Sequence, residues 1–200
     1  MPLEIERKYL NVSFDSLRGR LVHCAAHGGI AHFESNLVFD VAGAGLFKQG
    51  KLLRLRTQEW GNRIEHVLTL KLPASGDDAF KVREEIEIDL EDSQRMLAIL
   101  QGLGFTVKAQ YEKVREVWHY HNVEIVLDTL PFMTVVELEG AKKDICVVER
   151  ELGLDCAEKT TDSYYALHQA WLATNNLPQD PSFVFEKNDR AVWRKKLGLQ

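Results

Sequence analysis

The sequence predicts a mainly β, α+β fold in which eight antiparallel strands close into a barrel covered by helices. Two observations lead there. Strand-period segments dominate the middle of the chain, and they alternate apolar residues with charged ones. Segments of helical period, each with an apolar stripe, interrupt the strands and supply a covering layer. Eight strands are enough to close a barrel.

The first strand is "LEIERKYL", Leu3–Leu10, which sets Leu3 and Ile5 between Glu4, Glu6 and Lys8. Further strands are expected at 34–41, 51–59, 63–72, 80–90, 111–121, 123–130 and 134–139. Helices fall between them. After Ser13 and Asp15 as caps, Phe14, Leu17, Leu21 and Cys24 follow helical spacing until Gly28-Gly29 stops the run. A second helix starts at Asp92 or Ser93 and stops at Gly104; a third spans about 142–152, before Gly153. A fourth spans about 161–173, after which Asn175-Asn176, Pro178 and Pro181 break the pattern. These boundaries imply one domain over 1–173. A tail over 174–200 would pack on the barrel through an apolar stretch at 183–185 and a basic amphipathic helix, "RAVWRKKLGL".

Composition excludes several classes. Hydrophobic residues at 45% and charged residues at 28% suit a globular chain, and a net charge of −5 provides no general basic field for nucleic acid. Cys24, Cys146 and Cys156 form neither a disulfide framework nor a zinc motif. No apolar run is long enough for a membrane helix, and the N-terminal residues lack a signal-peptide pattern, so the expected compartment is the cytoplasm.

Side chains two residues apart on a strand share a face. By that rule Glu4, Glu6 and Lys8 group together, as do Arg54 with Arg56, Thr69 with Lys71, and Arg83 with Glu85 and Glu87. Lys113 pairs with Arg115, Glu124 with Asp128, and Glu137 with Glu139. For a single strand such a face ordinarily meets solvent. In a closed barrel the charges either surround an apolar lumen from outside or line a polar tunnel from within. The apolar stripes of four helices favour the tunnel, because an apolar exterior is what they can cover. A lumen of both signs suits phosphoryl chemistry: Lys and Arg complement phosphate oxygens, and clustered carboxylates bind hard divalent cations. There is no Gly-rich P-loop.

The opening Glu4-x-Glu6-x-Lys8 resembles the E-x-E-x-K signature of CYTH domains, the triphosphate tunnel metalloenzymes. "SNLVFD", "LRLR", "LTLK", "REEIE", "YEKVRE", "LDTLPFMTVVELEG" and "SYYALH" follow in the family's order. The resemblance implies an eight-stranded tunnel with its charges inward. It implies that Glu4, Glu6, Asp128, Glu137 and Glu139 hold Mg2+ or Mn2+, and that Lys8, Arg54, Arg56, Lys71, Arg83, Lys113 and Arg115 bind the phosphates of a small-molecule substrate. Glu4, Glu6, Lys8, Lys71 and Arg83 would carry the catalysis. The implied reaction is metal-dependent hydrolysis of an inorganic or organic triphosphate, with a class IV adenylate cyclase as the main alternative and a non-catalytic polyphosphate or nucleotide binding module as a third. Neither nucleic acid nor membrane is an expected partner, and oligomeric state is not readable. Two departures stand out: "VAGAG" follows Asp40 where a Thr-Pro-Asp-like turn is common, and Thr134 stands where Gly is frequent.

His119 and His121 share a strand face, yet two imidazoles without a third ligand read as surface residues. His23, His27 and His168 read as partly exposed positions on helices, Tyr165 as packed within the fourth helix, and the "RKK" near Arg194 as a solvated face.

Overall fold

In the computed structural model, which describes residues 3–42, 45–77 and 79–199, charge-alternating segments form a closed barrel. Gly43 and Ala44, inside the turn that departs from the family pattern, lie outside the described residues. The strands are β1 (Leu3–Leu10), β2 (His27–Val41), β3 (Leu52–Trp60), β4 (Arg63–Lys71), β5 (Ser75–Asp77), β6 (Phe80–Leu90), β7 (Phe105–Tyr120), β8 (Val123–Thr129), β9 (Thr134–Glu139) and β10 (Glu158–Thr160). The helices are α1 (Phe14–His23), α2 (Ser93–Gly102), α3 (Lys142–Glu151), α4 (Tyr164–Thr174) and α5 (Lys187–Lys196).

Eight strands run in the order β1, β9, β8, β7, β2, β3, β4, β6, and β6 pairs back onto β1. All of these pairings are antiparallel. The short strands add to edges: β5 lies against β6, and β10 lies against Lys8–Leu10 beyond the point where β6 leaves β1.

The apolar face of the barrel points outward into helices, which leaves the charged face inside. Tyr9, Ile125, Leu127, Val136 and Leu138 pack with Leu17 and Leu21 of α1 and with Ile145 and Val148 of α3. Phe39, Leu53 and Leu55 meet Leu100 of α2. Phe33 and Val114 meet Phe185, Trp193 and Leu197 of the C-terminal segment. Side-chain caps fix three helix starts: Ser13, Asp92 and Ser163 accept from backbone N–H groups of Ser16, of Gln94 and Arg95, and of Ala166.

Two boundaries differ from expectation. β2 starts at His27, so Gly28-Gly29 lies inside a strand, and His27 is an exposed strand residue. The glycines form a bulge opposite Val117 and Trp118. Gly28 has φ +120°, and a Cβ there would lie 2.4 Å from the Val117 carbonyl oxygen, so the pair serves close backbone approach; the helix has already ended at His23, with Cys24 as its C-cap. β7 starts at Phe105, directly after Gly104 (φ +87°), because β2 is long enough to pair with it from Phe105 to His119. The C-terminal segment is bound more closely than hydrophobic docking requires: Phe183 exchanges backbone hydrogen bonds with Gln110 and Glu112 of β7.

Candidate functional site

The inward faces enclose a cavity of ≈ 1520 Å³, whose lining includes Glu4, Glu6, Lys8, Arg54, Arg56, Lys71, Arg83, Lys113, Arg115, Glu137 and Glu139. Strand register places them. Glu6 stands opposite Glu139, and Lys8 opposite Glu137, across β1 and β9; Glu4 stands opposite Arg83 across β1 and β6.

The carboxylates fall into two groups with different partners. Glu4, Glu6 and Glu139 each offer an oxygen such that the three lie within 4.8 Å of one another. Burial pushes Glu139 well above the usual carboxylate range, and Glu137, Glu4 and Glu6 add to this against the pull of Arg115. This corner is therefore crowded with acid around Glu139, while Lys8 and Lys81 contact Glu6 and Lys71 reaches Glu4. Glu137 and Asp128 meet Arg115 as well as lysines. Lys8 lies 3.2 Å from Glu137 Oε1 and also contacts Glu6. Arg115 donates from Nε to Asp128 Oδ1 at 2.8 Å and from Nη2 to Glu137 Oε2 at 2.7 Å. Asp128, fully buried, also accepts from Lys113 Nζ at 3.0 Å and from the Tyr164 hydroxyl. Asp128 thus lies among Lys113, Arg115 and Tyr164, and the group of three close carboxylate oxygens comes from Glu4, Glu6 and Glu139.

The remaining cations occupy the adjoining wall. Arg54 donates to Tyr111 Oη at 3.1 Å and to Thr69 Oγ1 at 3.2 Å. Arg56 and Lys113 flank Glu34, at 3.6 and 3.4 Å. Burial by itself would raise the Glu34 carboxyl, but Arg56 and Lys113 outweigh it and hold the group well below its ordinary range. Lys71 contacts Glu85 and lies 3.2 Å from Glu4 Oε2. Within that trio burial and the Glu4 carboxylate push Glu85 up to about 7. Arg83 stands at the edge, its Nη2 on the Gly50 carbonyl at 2.7 Å and its Nε on that of Leu72.

The family profile for the CYTH domain matches residues 2–167. The chain belongs to the CYTH domain family. This CYTH domain is 30% identical over 114 residues to a protein of Methanocaldococcus jannaschii provisionally named an adenylate cyclase; the match covers 56% of this chain and 62% of that protein. A solved protein of Pyrococcus horikoshii shares the fold with a TM-score of 0.70 at 23% identity, over 82% of this chain and 97% of that one. A Hippeastrum protein, also provisionally named an adenylyl cyclase and reported to have a dominant triphosphatase activity, gives a TM-score of 0.63 at 18% identity, over 90% and 99% of the two chains.

Several lumen residues of this CYTH domain escape strand-by-strand reading. Lys81 donates to Glu6 at 2.7 Å; its position two before Arg83 was the available signal. Tyr111 likewise stands two before Lys113, and Tyr164 sits with its ring centroid 5.6 Å from Lys8 Nζ and 5.4 Å from Lys113 Nζ. Glu34 becomes legible only when register sets it opposite Lys113. The histidines outside the lumen sort differently. His119 and His121 are exposed, whereas His168 is buried among Phe132, Trp171 and Phe183, contrary to its reading as partly exposed. Tyr165, expected to be packed, is half exposed.

Proposed function

We propose that the protein hydrolyses a triphosphate with the help of a divalent cation, Mg2+ or Mn2+. One observation carries the reading: three carboxylates whose oxygens lie within 4.8 Å of one another adjoin a wall of lysines and arginines inside one cavity. The donor set is all oxygen, which fits a hard cation. Glu4, Glu6 and Glu139 would hold it. When bound, such a cation would act as a Lewis acid and offset the charge developing in phosphoryl transfer.

The chain's own groups supply the rest. Lys8, Arg54, Arg56, Lys71, Lys113 and Arg115 would bind the phosphate oxygens, with Arg83 at the edge of the cavity. Glu137 and Asp128 fix the directions of Lys8, Lys113 and Arg115, so the cations are oriented before substrate arrives. Water attacking the terminal phosphorus completes the hydrolysis, and the reported triphosphatase activity of the Hippeastrum protein supports this choice. A second reading rests on the archaeal relative's name: the ribose 3′ hydroxyl of ATP attacks the α phosphorus and pyrophosphate leaves.

The test is an assay of purified protein with Mg2+ or Mn2+ against inorganic triphosphate, ATP and thiamine triphosphate, with phosphate and cyclic AMP detected separately. Phosphate release is expected, and Glu4→Gln and Glu139→Gln should each abolish it while the fold persists. Cyclic AMP with pyrophosphate would favour the second reading. Unchanged turnover in both variants would remove the assigned cation site.

A further inference from the structure

Tyr111 and Phe183 both line the cavity, and Phe183 belongs to the C-terminal segment beyond the span matched by the family profile. Their rings stack with centroids 5.1 Å apart and planes 25° apart. The backbone around Phe183 is pinned from both sides. It exchanges hydrogen bonds with Gln110 and Glu112, and the Glu112 carboxylate accepts from the backbone N–H of Phe185 and from Arg190 Nε, each at 3.0 Å. Phe183 also sits edge-on to Phe132 and contacts His168, so its own position is set by packing.

What this stack holds in place is a hydroxyl among unsatisfied groups. Tyr111 Oη accepts from Arg54 and keeps its own proton available to donate. Asn36, its cross-strand neighbour, is fully buried with both carboxamide atoms unpartnered; it shares a strand face with Val38 and Asp40, which line the cavity. The buried Nε of Arg54 also lacks a hydrogen-bond partner, and that of Arg56 has only the Glu34 carboxylate, 3.6 Å away. Burying several donors without acceptors is costly unless a ligand or water supplies them. The open Arg54 N–H and Tyr111 O–H, with the Asn36 amide N–H beside them, suit an anionic oxygen.

We propose that Tyr111 is a further substrate-contacting residue, its hydroxyl donating to an anionic oxygen of the bound phosphate chain, and that Phe183 is a positioning residue acting through it. The inference rests on the reading of the cavity as a triphosphate site. It makes the C-terminal segment part of the binding unit. The cationic surroundings agree: burial disfavours the phenolate, yet Arg54, Arg56 and Lys113 outweigh it and lower the Tyr111 hydroxyl below its ordinary value, which strengthens it as a donor.

The test is calorimetric titration of the full chain with inorganic tripolyphosphate, alongside thermal unfolding of each variant. Loss of a hydrogen bond to a charged oxygen predicts that Tyr111→Phe weakens binding roughly tenfold, with a thermal midpoint near that of the parent. Phe183→Leu should weaken it in the same direction, while Phe183→Tyr, which keeps the stack, should restore it. Adding Phe183→Leu to Tyr111→Phe should then cost no further affinity, because the hydroxyl it positions is gone. Parent binding with unchanged affinity in Tyr111→Phe would overturn the contact, and independent, multiplying effects of the two changes would overturn the positioning. Absence of any tripolyphosphate binding by the parent would overturn the triphosphate reading and this inference with it.

Discussion

Replacing Asp128 with Asn separates two roles that a lumen carboxylate can have. The carboxylate is fully buried and faces two buried cations, Lys113 at 3.0 Å and Arg115 at 2.8 Å, besides the Tyr164 hydroxyl. An amide of the same shape still accepts hydrogen bonds but supplies no charge. Glu34, 3.4 Å from Lys113, and Glu137, 2.7 Å from Arg115, remain, so neither cation is left wholly alone. Breaking a buried pair costs about 3–5 kcal/mol, and the remaining acids place Asp128→Asn near the lower end, about 3 kcal/mol. For a chain of 200 residues that corresponds to a fall in Tm of roughly 6–12 °C. The measurement is urea unfolding and thermal unfolding, with and without tripolyphosphate. A bound polyanion returns negative charge to Lys113 and Arg115, so it should stabilise the variant more than the parent. A loss below about 1 kcal/mol, or a variant of parental stability that has lost its response to Mg2+, would refute this account and return Asp128 to the cation's ligands.

Two further outcomes test the lumen and the barrel wall. Glu34 is held below its unfolded value of 4.5, so its contribution to stability is present above about pH 4.5 and is lost as pH falls through the folded value. The stability gap between the parent and Glu34→Gln, followed by urea unfolding across pH, should therefore be full near neutrality and shrink below pH 4.5; a gap independent of pH contradicts the charge pairing. Gly28→Ala forces a Cβ against the Val117 carbonyl at φ +120° and should cost at least about 1–3 kcal/mol, read as a shift in urea midpoint; a neutral effect would mean the bulge relaxes freely.

Alternation made the barrel legible on β3 and β9 because each inward charge there is separated from the next by a residue that packs outward. Leu53 and Leu55 lie between and beside Arg54 and Arg56 and meet α2; Val136 and Leu138 do the same for Glu137 and meet α1 and α3. The pattern fails where geometry comes from two distant strands. Gly28-Gly29 resembles a helix stop until Trp118 is placed across from it. β5 and β10 are three residues long, too short for any period to register. Among site residues, the types and faces were readable from β1, β3, β4, β7 and β9, while the division of labour among acids was not. Glu139 and Glu137 look alike in "VVELEG", yet register gives Glu137 to Lys8 and leaves Glu139 beside Glu6. Phe183 reads from the sequence only as part of an apolar stretch that packs on the barrel, since nothing in "SFVFEK" indicates which strand it will join.

The pairing of β1 with β6, which closes the barrel, runs among the described residues only from Leu3 to Glu6, whereas β2 and β7 are paired from His27 to Val41. The closure is thus a short seam, and it is also where Glu4 reaches Lys71 and stands opposite Arg83. Local opening starts where backbone hydrogen bonds are few and near an end. A polyanion held at once by β1 and by the β4 and β6 side would stitch that seam, so occupancy of the cavity and amide-exchange protection of Leu3–Glu6 are two measures of one equilibrium. In this fold a polyanion in the cavity would work as a fastener of the wall that surrounds it.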